Sequence, residues 1–182
     1  MTEQPQPHPL SDKAANIKAF LLDVDGVMTD GGLYVGDNGE SFKRFNTLDG
    51  HGLKLLQMAG IQPVVITGRD SAALRYRLSE LGITQAYFGV ENKFETAQNC
   101  LTQLNLNWSQ VAAMGDDWPD LPMLLPAAVS FAPAQAHREV TKRVHHVCSA
   151  RAGHGAVRQA CDLLLQANQQ YQRLLNSYLL HE

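Results

Sequence analysis

The sequence predicts an α/β domain built on a doubly wound, mainly parallel sheet with helices on both faces, and three observations predict it. Short apolar runs alternate with helical stretches along nearly the whole chain, a pattern that implies right-handed crossovers between parallel strands. One segment breaks the alternation with the signature of a β-hairpin. The 182 residues, 45% hydrophobic and 18% charged, suffice for one ordinary domain with a sizeable core.

The elements follow in order. IKAFLLD (17–23) reads as the first buried strand. It is followed by GGLYVGDNGESFKRFN (31–46), where LYV and SFKRF flank a turn rich in glycine and asparagine and predict a hairpin flap. DGHGLKLLQMAG, SAALRYRLSELG and NKFETAQNCLTQLN space their apolar residues by three and four, and glycine closes the first two. The intervening strands are IQPVVIT (61–67), TQAYFGV (84–90), QVAAMGD (110–116), AAVSFAP (127–133) and RVHHVC (143–148). LLLQANQQYQRLLNSYLL predicts one further, carboxyl-terminal helix with a leucine and tyrosine stripe. The polar, proline-rich residues 1–16 read as a flexible leader before a domain spanning 17–165, with 166–182 as a helical tail.

Composition excludes several roles. A net charge of −3 gives no field that would draw nucleic acid or an anionic membrane. Cys100, Cys148 and Cys161 lie far apart and form no CxxC, which argues against a disulfide framework and for a reducing cytoplasm. No run has the character of a signal peptide or a spanning segment.

The candidate site lies where the strands end. Asp23 and Asp25 alternate at the end of the first strand and share a face. Two carboxylates that close repel, so they imply either a divalent metal or two acids with different tasks. The second strand ends in Thr67, Gly68 and Arg69, Lys93 follows the third, and GDDWPD after the fourth supplies Asp116, Asp117 and Asp120. All fall on one edge of a parallel sheet, where such folds bind their ligands. Acids for a metal, a hydroxyl and a lysine are what a transferring phosphoryl group requires. Oxygen ligands without cysteine or paired histidine favour Mg²⁺. Other polar residues have plainer readings. His145 and His146 face opposite ways in a strand and are structural, Arg75 and Arg77 belong to a solvated face or local ion pairs, and Asp49 and His51 suit helix capping.

The order DxDGVxTD, hydrophobic-TGR, Lys and GDDxxD resembles the haloacid dehalogenase superfamily of phosphatases over about residues 17–165. The resemblance implies that Asp23 is the nucleophile, Asp25 the general acid and base, and Thr67 and Lys93 the groups holding the phosphoryl oxygens. It further implies Asp23, Asp116 and the backbone carbonyl of Asp25 as Mg²⁺ ligands, with Asp117 and Asp120 around them. Neither the stretch from Asp23 to Thr67 nor that from Thr67 to Lys93 is long enough for a cap domain. In detail, DVDGVMTDGGLYVGDNGESFKRFNTLDGHGLKLLQMAGI and AGHGAVRQACDLLL are similar to the 3-deoxy-D-manno-octulosonate 8-phosphate phosphatases, a capless, Mg²⁺-dependent, tetrameric family acting on a small phosphorylated sugar acid in lipopolysaccharide synthesis. On that resemblance Arg69, with Gly68, faces the substrate carboxylate. Two departures from the family are Trp118–Pro119 after GDD, and AGHG at 152–155 in place of a glycine- and arginine-bearing segment.

Alternatives share parts of this pattern. A phosphatase of a nine-carbon sugar acid would share nearly every motif, as would the domain attached to acylneuraminate cytidylyltransferases, which no nucleotidyltransferase segment here favours. A receiver-type signalling domain gathers similar groups but has no acid two residues after its phosphoacceptor. A binding module that kept the fold and lost catalysis is disfavoured because no motif carboxylate is missing. An open, capless cleft also needs a cover. Leu33, Tyr34, Val35 and Phe42 on the hairpin, with Leu174, Leu175, Tyr178 and Leu179 on the tail, are apolar residues a monomer would expose, and they predict a symmetric homotetramer.

Overall fold

A computed structural model describes residues 11–37 and 39–179. Residues 1–10, most of the expected leader, lie outside the described residues. In chain order the elements are α1 (Ser11–Ala14), β1 (Ala19–Leu22), β2 (Tyr34–Gly36), β3 (Gly39–Phe42), α2 (Thr47–Met58), β4 (Gln62–Ile66), α3 (Ala72–Leu81), β5 (Ala86–Tyr87) and α4 (Lys93–Gln103). Then follow β6 (Val111–Met114), α5 (Leu121–Leu124), β7 (Val129–Ala132), α6 (Arg138–Thr141), β8 (His146–Val147), α7 (Ala156–Ala167) and α8 (Tyr171–Leu179).

Six strands form one sheet in the order β5-β4-β1-β6-β7-β8, and each neighbouring pair is parallel. From β1 the chain winds outward through β4 to β5, then returns to the other side of β1 as β6. The strand order therefore reverses beside β1, and the crevice at the carboxyl ends of β1 and β6 is the ligand position of this topology. Both faces are covered, which explains why β1 and β6 read as continuous apolar runs. Phe20, Leu22, Val65, Met114 and Phe131 pack under α2, α3 and α7, while Leu21, Val64, Ile66 and Ala113 pack under α4 and α5. The outermost strands β5 and β8 have only two residues each, a length that limits stray edge pairing.

The hairpin β2–β3 forms a separate antiparallel ribbon, joined beyond the end of β1. Tyr34 stacks on Phe42 with ring centroids 4.4 Å apart, while Leu33, Val35 and Phe42 remain exposed.

Two sequence expectations need correction. The single carboxyl-terminal helix is two, because Asn168 ends α7 with its side chain donating to Leu164 O and Ala14 O, and Gln169 then turns left-handed at φ 56°. The reversal folds α8 back on its own chain, so Leu174 is buried rather than exposed. Tyr178 meets His51 edge-on at 5.6 Å. Leu175, Tyr178 and Leu179 stay exposed.

Asp49 caps a helix, though not its own. The side chain of Asn46 caps α2 by accepting from Leu48 N and Asp49 N. The buried Asp49 carboxylate instead accepts from Arg158 N at 2.8 Å and Gly155 N at 3.3 Å, at the start of α7, where Gly155 offers no capping side chain. Gly52 allows the two helices to close, since a Cβ there would lie 3.1 Å from that of Cys161. Asp49→Ala should therefore cost about 1–3 kcal/mol of stability, measured by urea denaturation. An unchanged midpoint would show that the cap contributes nothing.

Candidate active site

Asp23 follows the last residue of β1, and its amide donates to Met114 O at the end of β6. The chain then tightens into a turn in which Val24 O accepts from the amides of Val27, Met28 and Thr29. Gly26 is required there. Its φ is +86°, and a Cβ would lie 2.2 Å from the Asp116 carboxylate. This turn holds Asp25 beyond the strand while Asp116 closes over the backbone.

Three acids converge at this edge. Carboxylate oxygens of Asp23, Asp116 and Asp120 lie within 4.8 Å of one another. Lys93, at the first turn of α4, is buried between two of them, 2.7 Å from Asp23 Oδ1 and 2.6 Å from Asp120 Oδ1. The second oxygen of Asp120 accepts from Asp116 N at 2.9 Å and Asp117 N at 3.2 Å. Asp120 thus ties Lys93 to the loop after β6 and has both oxygens engaged. Asp117 is exposed.

The electrostatics reflect crowding. Burial first, then the charges of Asp120 and Asp23, raise the pKa of Asp116 to about 8. Burial and Asp120 raise that of Asp23 to about 6 against the opposing pull of Lys93. Burial acts to lower the pKa of Lys93, but the facing carboxylates of Asp23 and Asp120 outweigh it and the net shift is upward. An all-oxygen cluster of acids in which Asp23 and Asp116 are held above their ordinary range suits a hard divalent cation such as Mg²⁺.

The remaining predicted residues surround this cluster. Thr67 is buried at the end of β4, its hydroxyl oxygen accepting from Arg69 N at 3.2 Å, while Gly68 and Arg69 are exposed. Asp25 stands apart from the acid cluster. Its Oδ1 accepts from Lys43 Nζ at 2.5 Å, and Arg69 Nε lies 3.6 Å from its Oδ2. Lys43 is the residue that sequence reasoning missed. Its side chain is only 2% exposed, and its position just after β3 was the one signal available. Trp118 donates from its indole to His137 Nδ1 at 2.9 Å, and His137 N donates to Asp116 O, so the WP departure forms an exposed ledge at the loop. Arg75 pairs with Asp70 and covers Phe88. His145 bonds Ser130, and His146 packs edge-on against Phe131.

Residues 89–160 match the haloacid dehalogenase-like hydrolase family. The 3-deoxy-D-manno-octulosonate 8-phosphate phosphatase of Yersinia pestis is 41% identical over 155 residues, covering 85% of this chain and 83% of that protein. The chain belongs to the 3-deoxy-D-manno-octulosonate 8-phosphate phosphatase family. Membership makes it a phosphomonoesterase and sets aside the receiver reading. The Moraxella catarrhalis phosphatase of this name, solved with magnesium, phosphate and KDO, superposes with a TM-score of 0.90 at 31% identity, covering 94% of this chain and 99% of that one. A cobalt-bound Haemophilus influenzae member superposes at 0.85 with 42% identity, covering 87% and 93%. Among the described residues, no helix is long and apolar enough to cross a membrane.

The raised acids set a pH dependence. Between the ordinary carboxyl value of 3.8 and the folded values, the folded protein keeps protons that the unfolded chain has released. Metal-free stability should therefore be greatest below about pH 4 as far as these groups act, and decline as pH rises towards about 8. Calorimetry should show the metal-free melting temperature falling from pH 5 to pH 8, Mg²⁺ restoring it most at pH 8, and Asp116→Asn flattening both effects. A melting temperature indifferent to pH and Mg²⁺ would contradict this account.

Proposed function

We propose that this chain hydrolyses 3-deoxy-D-manno-octulosonate 8-phosphate through an aspartyl-phosphate on Asp23, in lipopolysaccharide precursor synthesis. The observation that carries the reading is the separation of two neighbouring acids. Asp23 is bound to the buried Lys93, and Asp25 is held apart on Lys43. In the first step an Asp23 oxygen bonds to phosphorus as the bridging P–O bond breaks, and Asp25 gives its proton to the departing sugar oxygen. In the second, Asp25 takes a proton from water, whose oxygen bonds to the phosphorus, and phosphate leaves Asp23. Lys93 and Thr67 hold the phosphoryl oxygens. Mg²⁺, held by Asp23, Asp116 and the Asp25 carbonyl, would neutralise charge on the phosphoryl group. Asp117 and Asp120 support that set from outside it.

Arg69, half-exposed on the turn after β4, offers a planar fork to the substrate carboxylate beside Gly68. The exposed apolar residues of the hairpin support a homotetramer in which hairpins pack together. The three buried free cysteines suit a reducing cytoplasm.

The reading is tested by phosphate release from a panel of sugar phosphates with and without a carboxylate, in Mg²⁺. The octulosonate should be hydrolysed best. Asp23→Asn should abolish turnover and weaken Mg²⁺ binding, whereas Asp25→Asn should cut turnover at least about a hundredfold and leave Mg²⁺ affinity nearly intact. Equal loss of metal affinity contradicts the division of roles. Arg69→Ala should raise KM about tenfold or more for the sugar acid and little for a phosphate lacking a carboxylate. Val35→Lys with Phe42→Lys should dissociate the assembly in sedimentation. An unshifted tetramer locates the interface elsewhere.

A further inference from the structure

We propose that Lys43 is a positioning residue for the general acid: it clamps one oxygen of Asp25 so that the other carries and delivers the proton. The inference rests on the reading of Asp25 as acid and extends it to the hairpin. Three observations support it.

Lys43 is the first residue after β3, and its side chain is almost wholly withdrawn from water while its Nζ lies 2.5 Å from Asp25 Oδ1. A charge-assisted hydrogen bond of that kind fixes direction as well as attracting. Asp25 Oδ2, in contrast, is buried and has no hydrogen-bond partner, with Arg69 Nε at 3.6 Å, beyond a normal hydrogen bond. An ammonium group has only protons to offer, so it competes with a proton on Asp25 for Oδ1 and favours that proton on Oδ2.

The segment that carries Lys43 is also anchored. Side chains alternate along an extended stretch, and the next residue, Arg44, donates to Gly153 O at 3.3 Å and meets His154 Nε2 at 3.1 Å. Asn46 donates to the same Gly153 carbonyl at 3.3 Å and caps α2. Lys43 is thus held between the ribbon and a limb fastened to the 151–155 turn. The backbone turn around Val24 O fixes Asp25 from the other side.

A positioned acid matters in proportion to how poor the leaving group is. The P–O bond of an alkyl phosphate breaks with the electron pair passing to an oxygen that needs Asp25's proton, whereas nitrophenolate leaves without one. The constant kcat/KM reports this first step. Lys43→Met should lower kcat/KM about tenfold or more for simple alkyl and phenyl phosphates, which carry no carboxylate, and less than about threefold for p-nitrophenyl phosphate. Lys43→Arg should recover most of the loss, and Lys43→Gln should show the same selective pattern if Met is not tolerated in the fold. A uniform fall across the series, or a loss confined to KM, overturns the proposal and makes Lys43 a structural or substrate-binding group. Asp25→Asn is the control for the parent reading. If it fails to steepen the leaving-group dependence, Asp25 is not the acid. If Asp25→Asn steepens it and the Lys43 variants do not, only the present inference fails.

Discussion

Repulsion among acids at one edge of the sheet is the constraint on which the site depends. Asp23, Asp116 and Asp120 share a volume smaller than 5 Å across, and one buried lysine bonds two of them. A single ammonium group cannot offset three carboxylates removed from water, which is why Asp116 holds its proton to about pH 8. The cluster is stored affinity for a cation. A divalent ion placed among these acids would remove the repulsion and draw the proton from Asp116.

The fold makes this crowding possible at a fixed place. Asp23 and Asp116 come from the ends of the adjacent strands β1 and β6, whose pairing is locked in register from Ala19–Val111 to Leu22–Met114. The edge of a sheet tethered on both faces by helices cannot relax to separate them. Lys93 arrives from α4, on the face opposite α2 and α7, and Asp120 ties it to the loop after β6 by accepting from two amides there. Gly26 removes the one side chain that would keep Asp116 from approaching the turn after β1.

Much of this was legible in the sequence because it is local. Strand ends, glycine turns and the alternation of faces follow from periods of 2 and 3.6, so the sheet and the edge bearing Asp23, Thr67, Lys93 and Asp116 could be located from spacing alone. What escaped depends on long-range geometry. Lys43 is one basic residue in an alternating hairpin and is told apart from Arg44 only by which side the ribbon turns towards Asp25. Asp49 looks like a cap for its own helix, yet the close packing of α2 on α7 gives it to the other. The break at Asn168–Gln169 falls within a stretch whose apolar stripe continues through it, and a left-handed glutamine carries no sequence signal.

Two carboxylates separated by one residue can have different chemistry only if their surroundings differ, and here each has its own lysine. Lys93 belongs to the core of the domain and faces Asp23 together with the other acids. Lys43 belongs to the hairpin and faces Asp25. On the proposed reading, the parallel sheet supplies the nucleophile, the cation site and the phosphoryl contacts, all of which act on a phosphate group common to any substrate. On the same reading the hairpin supplies the neighbour of the acid, which acts on the bond to the leaving group and so on the part by which substrates differ. An insertion after β1 would then change which alcohols leave readily without disturbing the groups that receive the phosphate. Within a capless fold, that division would give the hairpin a chemical role in addition to its apolar, outward-facing surface.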